Sequence, residues 1–307
     1  MNVISRSRYT IIVLLLLSAV QPTHASDHAI TLADSLMAAA FYDHAITEYT
    51  RYLFFNPRGA SRGSTYSKIG YCHAYLGEWK RAVDAMDKAI LSEENDSARE
   101  QRTIERSVIL LTSGDRERAR ESLVEIVGTS HHEETVKRAG MLLFLSHVYA
   151  HEWKDAHHTY HSFVKGRFPE PDSVESLLME ALLAQYKSPK TATILSTVIP
   201  GGGQMYAGQW LSGLNALVLN AGLGFLTVNS FIHEHYVSGF LEFELLFLRY
   251  YLGNRLQAYN IAVQQNEKID HSYEQKIIDL LLKSHRVRGD IQGEEKNGIP
   301  EADENVK

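Results

Sequence analysis

The sequence predicts an all-α protein: an array of helical hairpins followed by a small membrane-associated helical domain. Two observations predict it. Small and apolar residues recur with a 37-residue period through the first half, and an uncharged apolar run occupies residues 211–232 in the second. Composition narrows the classes further. With 31 basic and 37 acidic residues the net charge is −6, so no global basic field exists to hold nucleic acid by its phosphates. The single Cys72 rules out a disulfide framework and reads as a buried small apolar residue. The mean hydropathy of −0.22 averages an apolar start, a mixed polar middle and an apolar block after residue 190.

Residues 1–25 read as a cleaved export signal. Arg6 and Arg8 precede an apolar core at 11–20, and Thr23-His24-Ala25 ends in the small residue that cleavage requires. A ten-residue core reaches roughly 15 Å as a helix, about half a bilayer's hydrocarbon, which disfavours an uncleaved anchor. An exported protein on the periplasmic side of a bacterial membrane is therefore expected.

Four repeats are expected over residues 29–166. Ala45, Ala82, Ala119 and Ala156 are 37 apart. Four positions after each stand Tyr49, Met86, Leu123 and Tyr160, and eight after stand Leu53, Ile90, Val127 and Val164. Offsets of 0, 4 and 8 share one helix face, so each copy supplies an amphipathic second helix with a small residue where its neighbour comes close. The best copy runs Gly70-Tyr-Cys-His-Ala-Tyr-Leu-Gly77-Glu-Trp79-Lys-Arg-Ala82. Gly114 repeats the turn glycine and Trp153 the aromatic, whereas Ala40 and His151 replace the glycine and Arg116 the aromatic.

This pattern resembles the tetratricopeptide repeat (TPR), with units longer than the usual ~34 residues. The resemblance implies stacked hairpins whose first helices line a concave surface. In that phase the surface comprises Met37, Tyr71, Ile104, Val108, Met141 and Leu145, which are apolar and suit an internal or amphipathic segment of a protein or peptide partner; the same residues could instead pack between repeats. Residues 170–190 should cap and leave the array. Asp172 and Glu175 have capping-box spacing, and Lys187-Ser-Pro189-Lys190 breaks the helix that follows.

Residues 191–265 are expected to form the membrane-associated domain, with lipid contact over 191–252. The run at 211–232 contains 11 large aliphatic or Phe side chains and no charge, and as a helix it spans roughly 33 Å, enough for the ~30 Å hydrocarbon core. Gly213, Ala216, Asn220 and Gly224 make one smooth face on it. Residues 236–252 are less apolar. Their nine large apolar side chains favour insertion by about 3–5 kcal/mol, while Glu242, Glu244 and Arg249 oppose it by about 7–10. Pairing of Glu242 and Arg249, seven residues apart, with each other or with Asn220 and Asn229 on the preceding helix would ease that cost. Lys187, Lys190, Arg249 and Arg255 flank the hairpin on the exported side, against the usual cytoplasmic placement of positive charge; an interfacial or re-entrant block removes the conflict.

Pro200-Gly-Gly-Gly-Gln204-Met-Tyr206-Ala-Gly208 lacks the Gly-Lys-Ser/Thr or GxGxxG context of a nucleotide loop, so no nucleotide is expected. It resembles instead the Pro-Gly-x-Gly-Gln-x-Tyr-x-Gly segment of small bacterial membrane domains often joined to TPR proteins. Pro200, Gly201, Gly203, Gln204, Tyr206 and Gly208 carry that likeness, as do Tyr251, Gly253 and Asn254 of a later Tyr-Leu-Gly-Asn. Similar tails occur on a factor that assists membrane-protein insertion. The glycines should form a turn that leaves Gln204 and Tyr206 at the polar boundary. An amphipathic helix is expected at 266–288 and a disordered tail at 289–307.

Seven of the 15 histidines fall between 131 and 161. His147/His151 and His157/His161 have the i, i+4 spacing that can chelate a metal from a helix, yet no HExxH accompanies them and solvent-facing polar positions explain them better. No catalytic constellation is visible, and no cofactor or metal is expected. The reading is a non-enzymatic envelope adaptor, with an accessory structural factor in membrane-protein insertion or envelope assembly and a metal-responsive protein as alternatives.

Overall fold

A computed structural model of the chain describes residues 28–166 and 171–297. The expected signal peptide and residues 298–307 lie outside them. Every regular element among the described residues is helical. Two compact units result among the described residues, one of those up to Glu175 together with those from Leu280, the other Ser176–Asp279.

The first unit begins with four consecutive hairpins: α1 (His28–Ala38) with α2 (Tyr42–Phe55), α3 (Arg62–Tyr75) with α4 (Trp79–Leu91), α5 (Asp96–Ser113) with α6 (Arg116–Thr129), and α7 (Glu133–Ala150) with α8 (Trp153–Thr159). Each helix packs on the next, and α3 also meets α5, and α5 meets α7. One turn recurs in all four hairpins. Ala40, Gly77, Gly114 and His151 take φ of +61, +77, +94 and +59°, the left-handed region that ends helices. The N–H that follows each bonds back five residues, to the carbonyls of Leu36, His73, Leu110 and His147. Two extra orphan carbonyls are thereby satisfied per turn, whatever the side chain.

Glycine is comfortable in this conformation and other residues are not. Ala40→Gly is accordingly expected to stabilise the first unit by about 0.5–1 kcal/mol and Gly77→Ala to destabilise it by about 1 kcal/mol. A Cβ at Gly77 meets nothing within 4 Å, so only backbone strain acts there. Denaturant midpoints of the two variants shifting the same way would refute this.

Ala45, Ala82, Ala119 and Ala156 are all fully buried. Around them lie a core of α1–α4 with Tyr49, Tyr52 and Ile69, a core of Ala82, Met86 and Ile109 against which Tyr71 and Trp79 pack, and a core of Ile104, Val108, Leu123, Ile126 and Leu142. A Cβ on Gly70 would meet Met86 Cε at 3.0 Å and the Ala82 carbonyl at 3.2 Å, which is why this hairpin takes glycine opposite alanine. Trp153 is buried, and so is Cys72, whose thiol burial pushes up to about 12.

A polar spine stitches successive first helices. Glu105, 2% exposed, accepts from Ser67 on α3, from Gln101, and from Arg102 at 2.9 Å to both carboxylate oxygens; Arg102 also donates to Glu93 at 2.9 Å. Arg138, 37 residues beyond Gln101, donates to its amide oxygen. Asp34 and Lys68 pair at 2.6 Å.

After α8 the chain widens into a π turn (Tyr160–Val164) and later enters α9 (Pro171–Leu182). Glu175 accepts from His161 and Lys165, so its carboxylate is engaged there instead of in the capping box expected with Asp172.

The second unit contains α10 (Pro189–Val198), α11 (Gly202–Tyr206), α12 (Trp210–Ile232) and α13 (Tyr236–Leu241), then a π segment (Glu242–Phe247) that runs into α14 (Leu248–Asn297), whose residues up to Asp279 belong to this unit. Ser188 caps α10, accepting from the Thr191 N–H, with Pro189 at the first helical position. Glu234 at φ +64° turns the tight hairpin between α12 and α13. Two expectations are corrected. Residues 266–288 are not a separate helix but the continuation of α14, since nothing at 266–272 interrupts it, and residues 289–297, expected to be disordered, continue the same helix.

Candidate functional site

The second unit brings the two separated motifs of the sequence into one buried knot. Gly203 has no room for a side chain: a Cβ would stand 2.0 Å from the Ala192 carbonyl oxygen. Its N–H donates to Ser196 Oγ at 3.0 Å, and Ser196 donates to Gln204 Oε1 at 2.9 Å. The Gln204 amide then donates to Asn254, to both its side-chain oxygen and its backbone carbonyl. Gln204 is wholly buried, which corrects the expectation of a polar-boundary position. The reason is mutual satisfaction: an amide surrounded by Ser196 and Asn254 loses little on leaving water.

The other motif residues support this knot. Gly201, at φ +93°, and Gly213 touch backbone to backbone; a Cβ on Gly201 would lie 2.0 Å from the Gly213 oxygen. Gly208, φ +88°, ends the one-turn helix α11. Tyr206 OH accepts from the Ser188 N–H at 3.2 Å while Lys187 lies 5.1 Å over its ring. Tyr251 OH donates to the Thr197 carbonyl at 2.7 Å, near the end of α10. Ala258 is buried with Ala192, Ala207, Ile261 and Ala262. Pro200 sits at the α10–α11 turn, and Gly253 meets nothing within 4 Å.

Gly253 stays open because it borders a cleft of about 610 Å³ between α12 and α14. From α12 come Ser212, Asn215, Leu219 and Asn220; from α14 come Arg249, Asn254 and Gln257. The opposite face of α12 is apolar. Leu211, Val218, Phe225 and Ile232, seven apart, are 80, 63, 70 and 71% exposed. This is the one helix among the described residues long and apolar enough to cross a membrane, and 17% of its apolar window is buried inside the unit. A soluble core helix would be mostly buried.

The expected Glu242–Arg249 pair does not form. Glu242 accepts from Ser230 at 2.8 Å, and the π segment between the two rotates Arg249 out of line. Sequence reasoning missed the cleft; the polar residues Ser212, Asn215 and Asn220 do share a helix face, with Ala216 and Leu219 between them, which is the signal that could have found it.

In the first unit the expected partner surface is filled. Ile104, Val108, Met141 and Leu145 are buried, and Met37 and Tyr71 are half-buried against neighbouring cores. The first helices approach closely enough that these side chains pack between repeats, leaving no open groove of their own. An accessible concavity of about 490 Å³ lies elsewhere in the unit, where Ile46, Phe54, Tyr66, Arg81 and Lys88 of α2, α3 and α4 converge.

The histidines resolve individually. His147 Nδ1 lies 2.8 Å from Glu152 Oε2, and His73 Nδ1 lies 2.7 Å from Glu78 Oε2 two repeats earlier, so each ring spans its hairpin turn. His151 is the left-handed turn residue, which removes it from the helical face needed to chelate with His147. His157 and His161 stack edge to face at 4.7 Å and, with Glu175, offer three donor atoms within 4.8 Å. Lys165, 2.7 Å from Glu175, already neutralises that carboxylate.

Burial raises the Glu152 carboxyl, but donors from His147 and Arg120 outweigh it and hold the group below its ordinary value of 4.5. A lowered carboxylate contributes stability above its unfolded pKa and loses it as pH falls through the folded one. Glu152→Gln should therefore destabilise the first unit at neutral pH, by less than about 1 kcal/mol given its exposure. The difference from wild type should close as pH drops below about 4.5. A gap that persists at pH 3 in parallel melts would contradict the assignment.

No protein-family model matches the chain, and no curated protein matches it.

Proposed function

We propose that this protein is a non-enzymatic scaffold of the bacterial envelope, a TPR-like hairpin array that engages a protein partner, held at a membrane by its C-terminal helical unit. The observation that carries the reading is the recurrence, at every 37 residues, of one left-handed turn followed by one fully buried alanine. Local geometry repeated at constant spacing is what stacked hairpins require. The outward apolar face of α12 supports membrane attachment, because a soluble chain would have to expose the same side chains to water. On the array, the partner surface is the concavity of α2–α4, whose lining mixes the apolar Ile46, Leu53, Phe54 and Ile69 with Arg81, Asp84 and Lys88 and suits an amphipathic segment.

Alkaline carbonate extraction of membranes from cells making the full chain tests the attachment, and protease added to spheroplasts tests the side. The protein should stay with the membrane pellet and its hairpins should be cut from outside. Release into the carbonate supernatant, or hairpins protected until the membrane is broken, would defeat the proposal.

A further inference from the structure

We propose that the cleft between α12 and α14 binds the headgroup of an anionic phospholipid that bears hydroxyls, such as phosphatidylglycerol; the inference rests on the membrane attachment proposed above and names what that unit recognises there. Arg249 lines the cleft, and among the described residues it has no carboxylate or hydrogen-bond partner. A guanidinium with no carboxylate beside it calls for an anion, and a phosphodiester matches its fork of donors.

Two further groups in the same cleft lack partners and ask for opposite things. Asn220 is 3% exposed and Asn254 is 5% exposed. Asn220 donates through Nδ2 to the Ala216 carbonyl at 2.7 Å, which fixes its orientation and leaves Oδ1 as a buried acceptor with no donor. Asn254 accepts through Oδ1 from Gln204, which leaves Nδ2 as a buried donor with no acceptor. Each such group is destabilising until it is satisfied. A ligand that satisfies both must accept and donate. A phosphodiester oxygen provides the acceptor for Asn254 and Arg249, and a headgroup hydroxyl provides the donor for Asn220. An ammonium headgroup would set a second positive charge beside Arg249, so a hydroxyl headgroup fits better. The cleft volume lies within the range of small-ligand sites, and the apolar side chains exposed on α12 and on α14, Leu252 and Leu256 among them, offer surface for acyl chains.

The test is flotation of the purified full chain with vesicles of phosphatidylcholine alone or with phosphatidylglycerol added. Arg249→Gln is compared with Arg255→Gln, a change of equal charge on the same helix outside the cleft lining. Wild type should prefer the anionic vesicles, Arg249→Gln should lose roughly tenfold or more of that preference, and Arg255→Gln should keep most of it. Equal losses would mean diffuse surface charge and would overturn the site. Equal flotation of wild type with both vesicle types would overturn the site while leaving membrane attachment standing. No flotation with either would remove the attachment itself. Protection of α12 and α14 from hydrogen exchange by soluble glycerol phosphate, matching that by the lipid, would reassign the cleft to a free phosphate ester.

Discussion

Gly203→Ala should unfold the C-terminal unit, at a cost of roughly 3–5 kcal/mol. The new methyl would sit 2.0 Å from a backbone oxygen of α10, and backbone cannot swing aside as a flexible side chain can. Relieving the clash separates α10 from α11, which breaks the Gly203–Ser196 and Ser196–Gln204 hydrogen bonds and strands buried polar groups. Gly222, also helical, is the control: a Cβ there meets nothing within 4 Å, and its alanine variant should be neutral or slightly stabilising through helix propensity. Hydrogen exchange of peptides spanning residues 189–213 reads the unit directly. Wild-type protection in Gly203→Ala would show that the close approach is not real.

Arg102→Met is the second large effect. It removes the cation that meets both oxygens of buried Glu105 and leaves that carboxylate facing only Ser67 and Gln101. Loss of one partner from a buried pair costs about 3–5 kcal/mol. Replacing both residues, Arg102→Met with Glu105→Met, should recover much of the loss, because no buried charge then remains uncompensated. A double-mutant cycle on denaturant unfolding of the full chain measures the coupling. A double variant as unstable as the sum of the singles would show that the pair is not coupled, and that the hairpins are joined here by apolar contact alone.

Much of the first unit was legible because its determinants are local. A left-handed turn, a helix start two residues later and an alanine five residues beyond the turn follow from backbone geometry within a dozen residues, so they print a period on the sequence. His151 and Ala40 obscured two of the four turn glycines, yet the backbone keeps the same turn with either residue, since its hydrogen bonds belong to main-chain groups. The face expected to meet a partner is enclosed, as the alternative of packing between repeats had it, for a physical reason. Helical phase says which side chains share a face, but the distance to the next helix decides whether that face is open or filled, and Ile104, Val108, Met141 and Leu145 are enclosed.

In the second unit the glycine motif and the later Tyr251 and Asn254 were visible as residues, while their meeting through Gln204 was not, because 50 residues separate the partners. Arg249 shows the limit most directly. Counting seven residues from Glu242 assumes an unbroken α-helix, and a π turn between them sends the carboxylate to Ser230 and leaves the guanidinium in the cleft. What the sequence by itself determined is therefore the helical class, the 37-residue register and the apolar face of α12, each set by spacing along one helix or turn. Only the tertiary structure decided which polar groups are buried together and which stay unpartnered, because burial and pairing depend on neighbours that the chain brings near only when folded.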